Sequence, residues 1–511
     1  MAWNVRGERT TDTLEFPSMT THHAPGNLDP QMAIPVLRSG MPVTFSLTIG
    51  GCTHHSANLA QVCNPATEEL VASHPLATAD EVEMAVTAAK RASVSWGKAP
   101  YADRQHAVAA LGQLVIQHRE TLVNLLVAEQ GKPRADAEWE IDGAAHWCLQ
   151  MSELELPRED FDMGGGQRAF TRHVPIGVVV AIVPWNFPVL LAIWKIVPAV
   201  LAGNAVVLKP SPHTPLTTLH LGVLAQSVFP PGVLNTIAIS DDLAPVLVEH
   251  PDVGMIAFTG STETGKKVMR AAAGGIKRVS LELGGNDPAI VLPDADIEAA
   301  VPALFWAAFR NSAQFCIATK RLYVHESIYD SFCDALVRYA KTVKVGNGME
   351  PDTGLGPLQN RMQFLKVCDL IEDSRKQGHR FLLGGTVPKR AGYFVPVTII
   401  DNPPDNARCV VEEAFGPVLP VLKYSSIDEV VQRANASHYG LGASVWGRNA
   451  EEALAVGQRI ESGVVWINQI HVLTPNVPMG GMKQSGLGVE NGVLGLSHYC
   501  NLQTVVYREG T

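Results

Sequence analysis

Apolar residues recur along this chain in two alternating patterns, one helical and one strand-like. Thr78-Ala-Asp-Glu81 reads as a capping box that opens a helix with Val82, Ala85, Val86 and Ala89 on one face. A second helical pattern covers residues 103–129 through Val108, Leu111, Leu114, Val115, Leu122, Leu125 and Leu126, and stops at Gly131 and Pro133. Short runs that are apolar throughout follow at 178–183, 205–208, 255–258 and 289–292. Continuous apolarity is what a strand covered on both faces requires. Helical patterns from Ile297, over 327–343 and over 362–377, then alternate with strand patterns at 321–324 and 463–467. The alternation predicts an α/β fold: a doubly wound domain with largely parallel strands, and a second α/β domain after it. Gly164-Gly165-Gly166 precedes an alternating polar and apolar run at 167–174, which reads as an excursion out of the first domain and back. Residues 43–49 form a further strand-like run.

Composition narrows the classes. The 511 residues are 46% hydrophobic and 18% charged, a core-rich globular balance. The formal charge of -10 speaks against a nucleic-acid or anionic-membrane partner. Eight cysteines are scattered with no C-x-x-C pair, so neither a disulfide scaffold, a zinc ribbon nor another metal site is expected, and a reducing, cytoplasmic setting is. Residues 174–194 carry no charge over 21 positions, long enough to span a bilayer. Pro175, Pro184, Pro188 and Asn186 interrupt them, so a strand, a loop and a new helix are expected instead. Residues 1–40, with four prolines and no signal-like apolar run, read as a flexible extension, and Met41 is an alternative start.

Ligands in doubly wound folds sit at the carboxyl ends of the strands. Those ends carry Val183-Pro184-Trp185-Asn186-Phe187-Pro188, Lys209-Pro210-Ser211-Pro212, and Thr259-Gly260-Ser261 through Gly265. Leu281-Glu282-Leu283-Gly284-Gly285-Asn286 precedes the 289–292 strand. Taken singly, each is readable as an ordinary loop; together they mark a crevice. Residues 260–267 resemble a P-loop but place Lys267 where the magnesium ligand Ser or Thr is required. Small residues at that helix start still suit an anion such as a pyrophosphate. Among the cysteines, Cys316 stands out, with small polar residues before it and Lys320 and Arg321 after it, because cations stabilise a thiolate.

From about Val62 to the C-terminus, eight motifs in order resemble the aldehyde dehydrogenase superfamily, the non-acylating, nicotinamide-dependent kind. They are Asn64-Pro-Ala-Thr67, Pro184-Trp-Asn-Phe-Pro188, Lys209-Pro-Ser211, Phe258-Thr-Gly-Ser-Thr262, Leu281-Glu-Leu-Gly-Gly-Asn286, Gln314-Phe-Cys316, Glu412-Glu-Ala-Phe-Gly-Pro417 and Gly480-Gly-Met-Lys-Gln-Ser-Gly486. The resemblance implies roles. Cys316 matches the nucleophile, Asn186 the oxyanion donor and Glu282 the base that hydrolyses the thioester. Val183, Pro184, Trp185, Lys209, Ser211, Gly260, Ser261, Gly265, Leu283, Glu413 and Phe415 match the cofactor contacts. Phe187, Trp194, Phe315 and Ile317 would line the aldehyde tunnel. No arginine adjoins Cys316 in sequence, so an apolar or aromatic aldehyde is expected in preference to a carboxylate-bearing one.

The resemblance also implies a layout. A cofactor-binding domain would span 41–156 and 174–284, a catalytic domain 285–484, and an oligomerisation arm 157–173 with 485–511, in a homodimer or homotetramer. Pro212 stands where many members have a ribose-binding glutamate, and Ile239-Ser240-Asp241-Asp242 where a glycine pair is usual. Aspartates repel a 2′-phosphate, so NAD is expected, with NADP as the alternative cofactor. Two competing readings are a CoA-acylating relative, which generally lacks Glu282, and an inactive homologue, which the trio of Asn186, Glu282 and Cys316 opposes.

Overall fold

The computed structural model describes residues 45–508. The expectations for residues 1–40 and for Met41 lie outside them. Two large sheets organise the fold. The first has eight strands in the order Cys52–His54, Leu47–Ile49, Leu234–Thr236, Ala205–Lys209, Val178–Ile182, Val253–Thr259, Arg278–Glu282, Gly486–Leu487. Its five central strands are parallel, from Leu234–Thr236 to Arg278–Glu282. Chain order runs outward from Val178–Ile182 in one direction, then resumes on its other side with Val253–Thr259. That reversal is a topological switch point, the place where such a sheet opens a crevice.

The second sheet has seven strands: Arg380–Leu383, Thr398–Asp401, Val418–Tyr424, Thr319–His325, Asp287–Val291, Gly442–Trp446, Val464–Ile467. All but the first pair in parallel. Its central strands are largely buried, and Asp287–Val291 and Gly442–Trp446 are buried at every position. A third, antiparallel sheet joins Asp160–Gly164, Gln167–Pro175 and Cys500–Arg508. Gly164, Gly165 and Gly166 turn its hairpin with φ of 77°, 60° and 74°. The outer strand pairs along nine residues, from Cys500 opposite Pro175 to Arg508 opposite Gln167.

The uncharged stretch at 174–194 resolves as expected. It ends one strand, contributes Val178–Ile182, and after a loop enters the helix Pro188–Leu201. Among the described residues no helix is long and apolar enough to cross a membrane. Thr78 and Glu81 form the expected capping box on the helix Ala79–Trp96. The helix expected over 103–129 is instead two, Tyr101–Gln117 and Arg119–Gln130, separated at His118 (φ −103°, ψ 15°). The bend has a tertiary use. It delivers Glu129, whose buried carboxylate accepts from the Leu216 and Thr217 amides at 2.7 and 2.9 Å and so caps the helix Leu216–Ala225.

Gly131 ends the second of these helices with φ 87°. A Cβ there would lie 2.5 Å from Pro65 Cγ and 2.8 Å from Pro357 Cγ. Gly131→Ala therefore combines backbone strain with overpacking, and we expect a loss of about 1–3 kcal/mol. A lowered melting temperature in thermal denaturation checks this; an unchanged one refutes it.

Candidate active site

The carboxyl ends of the first sheet face the amino ends of the second. Glu282 closes one strand and Asp287 opens the next, with only Leu283-Gly284-Gly285-Asn286 between them. Both glycines are required by close approach. A Cβ on Gly284 would lie 2.4 Å from Glu413 Oε2, and one on Gly285 would lie 2.6 Å from the Cys316 carbonyl oxygen. The link thus brings Glu282, Glu413 and the Cys316 segment together.

Cys316 follows a strained turn. Asn311, Ser312 and Ala313 are all left-handed, with φ of 51°, 54° and 60°. Side-chain bonds over-determine this turn. Asn311 Nδ2 donates to the Asn186 carbonyl at 3.0 Å, Ser312 to the Gly356 carbonyl at 2.7 Å, and Gln314 Nε2 to the Asn311 carbonyl at 2.9 Å. Lys320 reaches back to the carbonyls of Phe315 and Cys316 at 3.0 and 2.6 Å, and lies 3.4 Å from Glu413. The Glu413 carboxylate also accepts from the Gly285 amide at 3.2 Å. Burial pushes the Cys316 thiol up to about 12, Lys320 opposes this, and Asp287, Glu413 and Glu282 add to it.

Asn186 sits in the loop after the strand Val178–Ile182. Its Nδ2 donates to the Gln314 carbonyl at 3.1 Å, leaving its second amide proton for another acceptor. Its carbonyl is held by Lys132 at 2.8 Å as well as by Asn311. Lys132 is fully buried and pairs with Glu140 at 2.5 Å. Glu140 in turn accepts from the Val189 and Leu190 amides at the start of Pro188–Leu201. A buried ion pair thus fixes both the Asn186 loop and the helix that follows it.

Burial raises the Glu282 carboxyl well above its ordinary range, with Glu490 adding to the effect and Lys195 opposing it. Oε1 of Glu282 has no hydrogen-bond partner among the described residues. Lys195, inside Pro188–Leu201, pairs with Glu490 at 2.6 Å, and both are buried. Glu490 was not recognisable from sequence, because it lies in the stretch read as an arm. The edge strand Gly486–Leu487, which pairs with Leu281 and Glu282, is what carries it in.

The expected cofactor residues gather at the switch point. Val183 and Pro184 follow Val178–Ile182, and Trp185 meets Phe415 edge to face at 5.3 Å. Ser261 caps the helix Thr262–Ala273 through the Thr264 amide, the Gly260 amide donates to the Glu282 carbonyl, and Gly265 packs on Leu283. Lys209 is buried, yet among the described residues its ammonium has one acceptor, the Pro210 carbonyl at 3.5 Å. Ser211 Oγ accepts from the His213 amide. Asp241 acts electrostatically on both Lys209 and His213, which puts a negative group at this end of the crevice. An under-satisfied buried ammonium at one strand end and a helix N-terminus after another strand of the same sheet fit hydroxyl and pyrophosphate oxygens, the acceptors of a dinucleotide.

On the other side lies an aromatic wall. Phe187 and Phe315 are 4.7 Å apart, Trp139 meets Phe187 at 6.0 Å, and His471 meets Phe315 at 4.6 Å. His471 bonds the Ile317 carbonyl at 2.9 Å. Trp194 is set further back and stacks on Trp147 at 5.2 Å. Trp139 and His471 carry no motif that would have singled them out; only folding brings them beside Phe187 and Phe315.

Known proteins resemble this chain over most of its length. The aldehyde dehydrogenase family pattern matches residues 53–505. A probable aldehyde dehydrogenase of a Pseudomonas species is 42% identical, over 92% of this chain and 96% of that protein. The putative aldehyde dehydrogenase DhaS of Bacillus subtilis is 39% identical, over 86% and 91%. Among solved structures, an NAD+ complex of an aldehyde dehydrogenase from Bacillus cereus superposes with a TM-score of 0.89 at 36% identity, covering 91% of this chain and 97% of that one. An E. coli enzyme described as NADP dependent gives 0.89 at 34% identity, covering 91% and 98%. With a match of this extent, the chain belongs to the aldehyde dehydrogenase family.

Proposed function

We propose that this enzyme oxidises an aldehyde to its carboxylic acid with NAD as the acceptor, through Cys316. The observation that carries the reading is the meeting of three groups from separate strand ends and loops: Asn186 beside Gln314, Glu282 within electrostatic reach of Cys316, and Cys316 on its strained turn. The Cys316 thiol gives up its proton to water and its sulfur adds to the aldehyde carbon, forming the C–S bond and leaving the thiohemiacetal oxyanion. The spare Asn186 amide proton and the Cys316 backbone N–H stabilise the oxyanion, a contribution of about 3–4 kcal/mol for one such donor. When bound, the nicotinamide supplies the hydride acceptor. Loss of hydride leaves a thioester on Cys316, and Glu282 deprotonates the water that hydrolyses it. Glu490, buried and paired with Lys195, adds its charge to the burial that raises Glu282. The presence of Glu282 supports hydrolysis over acyl transfer to CoA.

Lys209, Ser211, Gly260, Ser261, Gly265, Leu283, Val183, Pro184 and Trp185 would hold the dinucleotide, with Glu413 on the nicotinamide ribose and Phe415 against the ring. The first sheet then forms the cofactor-binding part and the second the catalytic part. Phe187, Phe315, Ile317 and, behind them, Trp194 line the aldehyde side, which supports an aromatic or apolar substrate. The exposed apolar side chains of the antiparallel ribbon, Phe161, Met163, Leu502 and Val506, support its use as an arm between copies in a homodimer or homotetramer.

Asp241 near Lys209 argues for NAD over NADP, since a 2′-phosphate there meets a carboxylate. Titration of the enzyme with each dinucleotide, followed by protein fluorescence, is expected to give the lower dissociation constant for NAD. Tighter NADP binding reverses the assignment. The activity itself is tested by NADH absorbance over a panel of aromatic and aliphatic aldehydes.

A further inference from the structure

The sequence places no arginine next to Cys316, but the fold brings Arg310 to the aromatic wall. Its guanidinium carbon lies 5.3 Å from the Trp139 ring centroid, and Trp139 meets Phe187 edge to face. Its charge also acts on His471, the residue that packs on Phe315 at the other end of the wall. Arg310 therefore borders the same aromatic surface that Asn186 and Cys316 adjoin.

The two other cations near this wall are engaged. Lys132 is held by Glu140 and the Asn186 carbonyl, and Lys320 by Glu413 and two carbonyls. Arg310 is different. Its Nε is buried with no hydrogen-bond partner among the described residues, and Asp136 stands at 3.9 Å, too far to accept a bond. Asp136 is fully enclosed, and one of its oxygens already accepts from the Asn311 amide at 3.3 Å. His471 cannot supply the cation instead: burial, with Arg310 adding, takes its imidazolium down to about 3. A guanidinium with five donors and none engaged in a hydrogen bond among the described residues is an anion receptor.

We propose that Arg310 is a specificity-determining residue that receives an acidic group on the far side of an aromatic aldehyde. The aryl ring would rest on Phe187 and Phe315, the aldehyde carbon would face Cys316, and a carboxylate would pair with the guanidinium. This rests on the reading of the aromatic wall as the aldehyde side. It keeps one part of the expectation drawn from sequence and reverses another: the substrate is aromatic, but it bears the carboxylate that the sequence disfavoured.

Steady-state kcat/KM for benzaldehyde, 3-carboxybenzaldehyde and 4-carboxybenzaldehyde tests it, in the parent enzyme, Arg310→Met and Arg310→Lys. The parent is expected to prefer at least one carboxylated aldehyde over benzaldehyde by about tenfold or more, the effect of a charge-assisted bond made to the substrate. Arg310→Met should bring that ratio to one or below, chiefly through KM, and Arg310→Lys should restore part of it. A ratio is used because general damage to the fold lowers both rates together. Absence of an acid preference in the parent, or a preference that survives Arg310→Met, overturns the proposal while leaving benzaldehyde oxidation intact. If no aldehyde is oxidised and iodoacetamide fails to label Cys316, the reading of the active site fails, and this proposal falls with it.

Discussion

Replacing Cys316 by serine abolishes aldehyde oxidation, with turnover expected to fall by a factor on the order of 10⁴ or more. The reason lies in the environment. Burial already drives the Cys316 thiol up to about 12, with only Lys320 opposing. A serine hydroxyl is a much weaker acid than a thiol, and in the same enclosure it would present almost no oxyanion. The oxyanion donors and the dinucleotide crevice would remain, because Asn186 is held through its carbonyl by Lys132 and Asn311 and not by the thiol. The variant should therefore still bind NAD with an affinity near that of the parent. Oxidation at the parental rate by Cys316→Ser would show that another group attacks the aldehyde. Loss of NAD binding together with activity would show that the substitution had damaged the fold, and Cys316→Ala would then be needed to isolate the chemistry.

Glu282→Gln separates the two halves of the reaction. The thiol and oxyanion donors are left in place, so the first turnover should still yield a stoichiometric burst of NADH. Hydrolysis of the thioester should then stall, lowering the steady-state rate by roughly 10²–10⁴-fold, the range for a lost general base. Mass spectrometry of the quenched enzyme should find the acyl group on Cys316. The pH dependence follows from the direction of the Glu282 shift. Its carboxyl is raised by burial first and by Glu490 second, with Lys195 opposing. A raised pKa means that the base form is lost as pH falls through that raised value. Deacylation in the parent should thus decline on the acidic side at a pH higher than an ordinary glutamate would show. In Glu282→Gln that limb should vanish, because the titrating group is gone. A variant that keeps the parental steady-state rate, or retains the same acidic limb, would move the base elsewhere.

Much of this site was legible before folding. The apolar runs marked the parallel strands, and the polar residues just beyond them marked the crevice, because a doubly wound sheet exposes its ligand side only at strand ends. Asn186, Lys209 and Ser261 were picked out in this way, and Glu282 in the stretch that precedes the 289–292 strand. The bend at His118 was not legible, since the apolar period continues through it and only the docking of Glu129 on a distant helix favours it. Gly284 and Gly285 read as an ordinary turn, yet neither is left-handed. Their reason is the close passage of Glu413 and of the Cys316 carbonyl, which no local pattern encodes.

The sequence by itself determined the alternation of helices and strands and the family, and it named Cys316, Asn186 and Glu282 as the candidates for the chemistry. These depend on local period and on motifs whose residues are close along the chain. Tertiary structure alone decided the surroundings that give those groups their properties. Lys195 and Glu490 meet across 295 positions, and Lys132 reaches the Asn186 carbonyl across 54. Arg310 comes to the aromatic wall only because Trp139, Phe187, Phe315 and His471, from four separate segments, converge on it. Burial and the field of neighbouring charges are properties of that convergence, and they set the acidity of Cys316 and Glu282.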